Sequence, residues 1–141
     1  MENTVINILI VEDDSLDVIE MKRTLDKMKV LHKTAVAKNG EEALEYLNSD
    51  IAREERPDVV LLDINMPKMN GLEFLTIVRK SEQWKDLKVF IVTTSDERVD
   101  REAAKRLGVS GYIVKPLKLH NPSSMDSFNL MIDLMNMKTG R

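Results

Sequence analysis

Four short apolar runs rich in β-branched residues limit what this chain can fold into: Ile8 to Val11, Val59 to Leu62, Val89 to Val92 and Tyr112 to Val114. Continuous apolar runs of this length fit strands covered on both faces, and strands of that kind belong to parallel sheets. A fifth, weaker strand is expected within Leu31 to Ala37. Between the runs, apolar residues recur at helical spacing: Val18, Met21, Leu25 and Met28; Ala43, Leu44 and Leu47; Leu72, Leu75 and Val78; Val99, Ala103 and Leu107. A last helix carries Phe128, Met131, Ile132 and Met135 on one stripe, and Gly108 stands where a helix C-terminal glycine is expected. Strand and helix alternate five times. That order predicts an α/β protein, a flavodoxin-like doubly wound (βα)5 fold with a five-stranded parallel sheet of order 2-1-3-4-5. The connection from Asn48 to Pro57, with its run Arg53-Glu54-Glu55-Arg56, reads as a solvated surface loop. Trp84 is expected to be a partly buried anchor after the third helix.

Length and composition narrow the function classes. The 141 residues suit one domain spanning 1–141, with no effector domain expected after Pro116. A net charge of -3, with both signs spread along the chain, leaves no electrostatic footprint for nucleic acid or for a membrane surface. The chain has no cysteine, which excludes disulfides, thiolate metal sites and cysteine nucleophiles. Met1 to Asn7 carry no signal-peptide pattern, and no apolar run approaches the ~20 residues of a membrane helix. The expected location is the cytoplasm.

In an open parallel sheet, ligands bind beyond the carboxyl ends of the strands. Those ends carry Glu12-Asp13-Asp14, then Asp63, then Thr93-Thr94-Ser95, then Lys115-Pro116. Taken singly, each has an ordinary explanation. Asp13 or Asp14 could cap the first helix, Asp63 could shape a turn, and threonine suits strands. Four strand ends delivering complementary charge together call for a common cause. Clustered carboxylates repel one another, and a divalent cation relieves that repulsion. Oxygen ligands without Cys or His point to Mg²⁺. The chemistry that needs such a set is phosphoryl transfer to a carboxylate, with a lysine to neutralise charge and a hydroxyl to sense the product.

Four strings carry a resemblance: Ile10-Val11-Glu12-Asp13-Asp14; Leu61-Leu62-Asp63-Ile64-Asn65-Met66-Pro67 with Gly71; Thr93-Thr94-Ser95; and Gly111-Tyr112-Ile113-Val114-Lys115-Pro116. Together, in order and at this spacing, they resemble the receiver domains of two-component response regulators, of the stand-alone, CheY-like kind. A finer resemblance, through the charged connection before Pro57 and the stretch Phe90 to Glu97, is to receivers paired with bacterial phytochrome kinases. The resemblance implies that Asp63 is the phosphoacceptor. It implies that Glu12, Asp13, Asp63 and the backbone carbonyl of Asn65 hold Mg²⁺. Lys115 would contact the phosphoryl group, Thr93 would be the switch hydroxyl and Tyr112 the switch aromatic. The Lys115-Pro116 bond would be cis, an isomer practical only before proline. The partners implied are a sensor histidine kinase or phosphotransfer protein and a downstream protein, with no direct DNA binding and no membrane. A homodimer through the fourth helix and fifth strand is compatible with it. That face is expected to expose Arg98, Arg101, Lys105 and Tyr112 and to be basic.

Rival classes fit less well. A hydrolase working through an aspartyl intermediate wants a second Asp two residues after the first, and Asn65 stands there. A nucleotide-binding flavodoxin-like protein wants a glycine-rich loop after the first strand, where this chain has Glu12-Asp13-Asp14. The remaining alternative is a receiver-like interaction module that is never phosphorylated, although such modules usually lose an acidic or lysine position. The chain is expected to be no enzyme beyond its own phosphorylation and dephosphorylation.

Overall fold

The apolar runs become strands whose alternate residues serve two different cores. In the computed structural model, which describes residues 5–122 and 124–139, the elements run β1 (Ile6–Val11), α1 (Ser15–Asp26), β2 (His32–Ala37), α2 (Gly40–Leu47), α3 (Asp50–Glu54), β3 (Val59–Leu62), α4 (Gly71–Lys80), β4 (Val89–Thr93), α5 (Arg98–Arg106), β5 (Gly111–Val114) and α6 (Met125–Thr139). Much of the Met1 to Asn7 segment, and Ser123, fall outside the described residues. The five strands are parallel in the order β2-β1-β3-β4-β5, as the alternation predicts.

Leu9, Val11, Val60, Leu62, Val89, Ile91 and Tyr112 face α2, α3, α4 and α5, where Leu47, Ala52, Phe74 and Ala104 close the core. Ile8, Ile10, Val59, Leu61, Phe90, Val92 and Ile113 face α1 and α6, against Met21, Leu25, Leu130 and Leu134. A period of two with both faces covered produces the uninterrupted apolar runs. The helices start on side-chain caps. Asp14 accepts from Leu16 N and Asp17 N, Asn39 from Glu42 N, and Asn70 forms a reciprocal capping box with Glu73. Gly108 closes α5 with φ of 73°, a left-handed conformation that glycine adopts without strain.

The structure departs from the sequence reading in four places. The connection from Asn48 to Pro57 is not all loop: it contains α3, started by Ser49 accepting from Ala52 N and held by the fully buried Ala52. The stripe on α6 is split: Phe128 and Met135 are exposed and Met131 packs only partly buried against the core, while the buried positions are Ser127, Leu130 and Leu134. Likewise Val99 on α5 is exposed and Ala104 is buried instead. Trp84 is buried rather than partly so, with the Arg56 guanidinium 4.3 Å above its ring.

β5 is an edge strand, and its outward side is covered from within the chain. Asp126 Oδ2, in the first turn of α6, accepts the Tyr112 backbone N–H at 2.7 Å. Gly111 permits the approach: a Cβ there would lie 2.8 Å from the Phe90 ring and 3.3 Å from Asp126.

Candidate functional site

The carboxyl ends of β1, β3, β4 and β5 meet at one edge. Register sets this up: Val11 lies opposite Leu62, Leu62 opposite Ile91, and Thr93 opposite Val114, so the residues following each strand arrive together. One oxygen from each of Glu12, Asp13 and Asp63 lies within 4.8 Å of the others. Glu12 and Asp63 are buried, and Asp13 is exposed. Asp14, the neighbour that could have joined them, is instead the cap of α1. Asp63 is fixed in rotation by Ile64 N, which donates to Oδ1 at 2.8 Å. The loop after it folds back at Gly71, whose N–H donates to Ile64 O at 2.9 Å. A Cβ at Gly71 would sit 2.1 Å from Asp63 O, so only glycine fits there. Asn65 stands exposed on this loop, two residues beyond Asp63.

Lys115 supplies the opposing charge. Its Nζ lies 2.6 Å from Glu12 Oε1, 2.7 Å from Asp17 Oδ2 and 3.6 Å from Asp63 Oδ2. Burial alone would lower its pKa; the contacts with Asp17 and Glu12 and the charge of Asp63 outweigh burial and hold it above the ordinary lysine value. Burial pushes the Glu12 carboxyl up to about 7, contact with Lys115 opposes the rise, and the charge of Asp63 adds to it. Glu12 Oε1 is close enough to Lys115 for an ion pair but lacks a well-directed hydrogen bond. A buried carboxylate with spare acceptor capacity, beside two further carboxylates, suits a hard divalent cation with oxygen ligands.

Thr93 is fully buried at the end of β4, and its Oγ1 accepts from Ser95 N at 3.3 Å. The Lys115-Pro116 peptide is cis, as expected. Tyr112 does not match its expectation as an exposed residue. It is buried, its hydroxyl donates to Ser95 O at 2.9 Å, and the Arg101 guanidinium lies 4.7 Å above its ring. The expected basic face is also altered. Arg101 pairs with Asp96 and Arg98 with Glu102, so local carboxylates neutralise both arginines. Asp17 and Asp126 complete the surroundings of the site, and motif reading did not single them out; Ser95 stood in the third string without a role of its own. Asp17 carried one signal: it is the acidic residue in the first turn of α1, close behind the Glu12-Asp13-Asp14 string.

The family model described as the response regulator receiver domain matches residues 8–122. The chain belongs to that family. Its relatives include protein PilH of Pseudomonas aeruginosa, 36% identical over 110 residues, covering 78% of this chain and 85% of PilH. Among solved structures, the bacteriophytochrome response regulator RtBRR is 35% identical, with a TM-score of 0.74, covering 94% of this chain and 78% of that one. The Mn(2+)-bound form of response regulator Rcp1 is 27% identical, with a TM-score of 0.73, covering 92% of this chain and 91% of its own. Both the stand-alone resemblance and the likeness to phytochrome response regulators read from the motifs therefore hold for this receiver domain.

Proposed function

We propose that this receiver domain is a phosphoacceptor switch that takes a phosphoryl group from a phosphohistidine onto Asp63. The observation that carries the reading is three carboxylates within 4.8 Å of one another with one lysine ammonium among them. In the transfer, an Asp63 carboxylate oxygen attacks phosphorus, the phosphorus–nitrogen bond to the donor imidazole breaks, and the imidazole leaves with the bonding pair. The fixed rotation of Asp63 holds its second oxygen toward Lys115. Lys115 donates to a phosphoryl oxygen and offsets its charge. Glu12, Asp13, Asp63 and the Asn65 carbonyl would hold Mg²⁺, which supplies charge neutralisation for the phosphoryl oxygens when bound. That the similar response regulator Rcp1 has a Mn(2+)-bound form supports the binding of a divalent cation. Hydrolysis of the acyl phosphate returns Asp63, so the chain acts on no substrate but itself. The donor is a sensor histidine kinase or a phosphotransfer protein.

The switch runs from Thr93 to Tyr112. A phosphoryl oxygen draws the Thr93 hydroxyl from Ser95 N, and the loop carrying Ser95 O, which anchors Tyr112, responds. The readout is then the face of α5 and β5, where a downstream protein or a second copy binds. Among the described residues no helix is long and apolar enough to cross a membrane; the cytoplasm is the location proposed with this function.

Incubation with acetyl phosphate and Mg²⁺, followed by intact mass measurement, tests the assignment. Wild type gains one phosphoryl group and Asp63→Asn gains none; equal labelling of the mutant rules out Asp63. Mg²⁺ binds only the folded site, so it raises the melting temperature of wild type but not of Asp13→Ala. An unchanged response in Asp13→Ala removes Asp13 from the ligand set.

A further inference from the structure

An ammonium group has three protons to donate. At Lys115 three carboxylates compete for them, and they are not equivalent. Glu12 and Asp63 belong to the carboxylate cluster suited to a cation; Asp17 does not. Asp17 Oδ2 nevertheless takes the best-formed hydrogen bond of the three, at 2.7 Å, while Asp63 lies at 3.6 Å, beyond hydrogen-bond reach. The pair borders a cleft of about 250 Å³ on the α1 side of the lysine, lined also by Glu20, Thr94 and Pro116. The ammonium is therefore drawn toward α1 and away from the phosphoacceptor.

A carboxylate in the first turn of a helix has an ordinary role against the helix dipole. That role needs no lysine, and it leaves unexplained why the Asp17 side chain reaches across 98 residues of sequence to Lys115. We propose that Asp17 is a positioning residue that parks Lys115, so that a phosphoryl group on Asp63 must draw the lysine off an internal carboxylate. This rests on the reading of Asp63 as phosphoacceptor. Asp17 thus sets the strength with which the site holds a phosphoryl oxygen. Its carboxylate weakens that hold by competition, and removing the charge strengthens it. Because the Asp17 side chain is 35% exposed, solvent screens the pair, and the expected gain is about three-fold in affinity.

The test uses the whole chain and two readouts. The first is the ¹⁵N signal of the Lys115 ammonium in metal-free protein. Asp17→Asn shifts or broadens it, Asp17→Glu restores it in part, and Glu20→Gln, which removes a neighbouring charge in the same cleft, leaves it in place. The second is the apparent affinity for beryllofluoride with Mg²⁺, by calorimetry. Asp17→Asn binds about three-fold tighter than wild type, and the gain vanishes in a Lys115→Ala background. A gain that persists without Lys115, or that Glu20→Gln reproduces, overturns the proposal, because the effect is then bulk charge. An unmoved ammonium signal in Asp17→Asn overturns it as well. If wild type takes no phosphoryl group on Asp63 while the ammonium signal still moves, the functional reading has failed. Asp17 then holds an ion pair with no part in phosphoryl chemistry.

Discussion

The two ends of the sheet handle buried charge in opposite ways. At the end where β4 and β5 begin, Arg79 of α4 donates to Leu107 O, Lys85 O, Leu87 O and Gly108 O, at 2.7 to 3.2 Å. One guanidinium answers the open carbonyls at the C-terminus of α5 and of the loop before β4; its hydrogen bonds go to neutral carbonyls, with the charge of a single carboxylate, Asp86, nearby. At the end where the strands finish, Lys115 meets three carboxylates, and Glu12 Oε1 keeps spare capacity despite being buried. A cation held by neutral carbonyls is finished structure. A cation shared among competing anions leaves an arrangement that a ligand can reorder. The difference separates scaffold from site without reference to any motif.

Substitutions at the two ends should therefore diverge, and the largest effect is expected where site and backbone coincide. Gly71→Ala places a Cβ 2.1 Å from Asp63 O, so the loop must move. A loss of about 3 kcal/mol or more in urea unfolding is expected, together with loss of Asp63 labelling. A near-normal midpoint would mean that the loop yields easily. Next comes Arg79→Ala, which strands several carbonyls and should cost about 2 to 3 kcal/mol while Asp63 labels at the wild-type rate. Slower labelling in a folded Arg79→Ala protein would break the division between the two ends.

Glu12→Gln should act in the opposite sense. Folding raises the Glu12 carboxyl from 4.5 to about 7, so the folded state prefers the proton. That preference stabilises the protein fully below pH 4.5 and is lost as pH rises through about 7. The stability of metal-free wild type should fall by roughly 2 kcal/mol across this window relative to Glu12→Gln, whose amide does not ionise. Melting curves at pH 5 and pH 8 in EDTA measure it, and parallel behaviour of the two proteins would remove Glu12 as a source of stored repulsion. The smallest effect belongs to Tyr112→Phe. It removes the hydrogen bond to Ser95 O, costs about 1 kcal/mol, and leaves labelling intact while reducing the amide shifts that beryllofluoride produces along α5.

β1, β3, β4 and β5 were readable because they are buried on both faces, so Val59 to Leu62 and Val89 to Val92 appear as unbroken apolar runs, whereas β2, mostly half-buried or exposed, gave only a weak signal. Asp63 and Lys115 were readable because parallel topology sends strand ends to one edge. Elements whose surroundings decide their fate were not. α3 has five residues and one buried side chain, Ala52, inside a charged segment, so no periodicity betrays it. On α6 the longer apolar stripe lost to Leu130 and Leu134, because docking against β1 and β5 chooses the face. The orientation of Tyr112 depends on Ser95 O and Arg101, and the parking of Lys115 on a partner far away in the chain. None of these is a local property of sequence.

The carboxylate of Asp126 on the Tyr112 N–H has a consequence beyond this fold. An open strand edge is a template on which foreign strands can grow, and β5 is both an edge and the strand that carries Tyr112, the proposed switch aromatic. By occupying a donor on that edge with one of its own anions, the chain blunts it against sheet extension. At the proposed readout face a partner is then left to engage β5 through side chains, and the proposed change of surface on signal comes without a seed for aggregates.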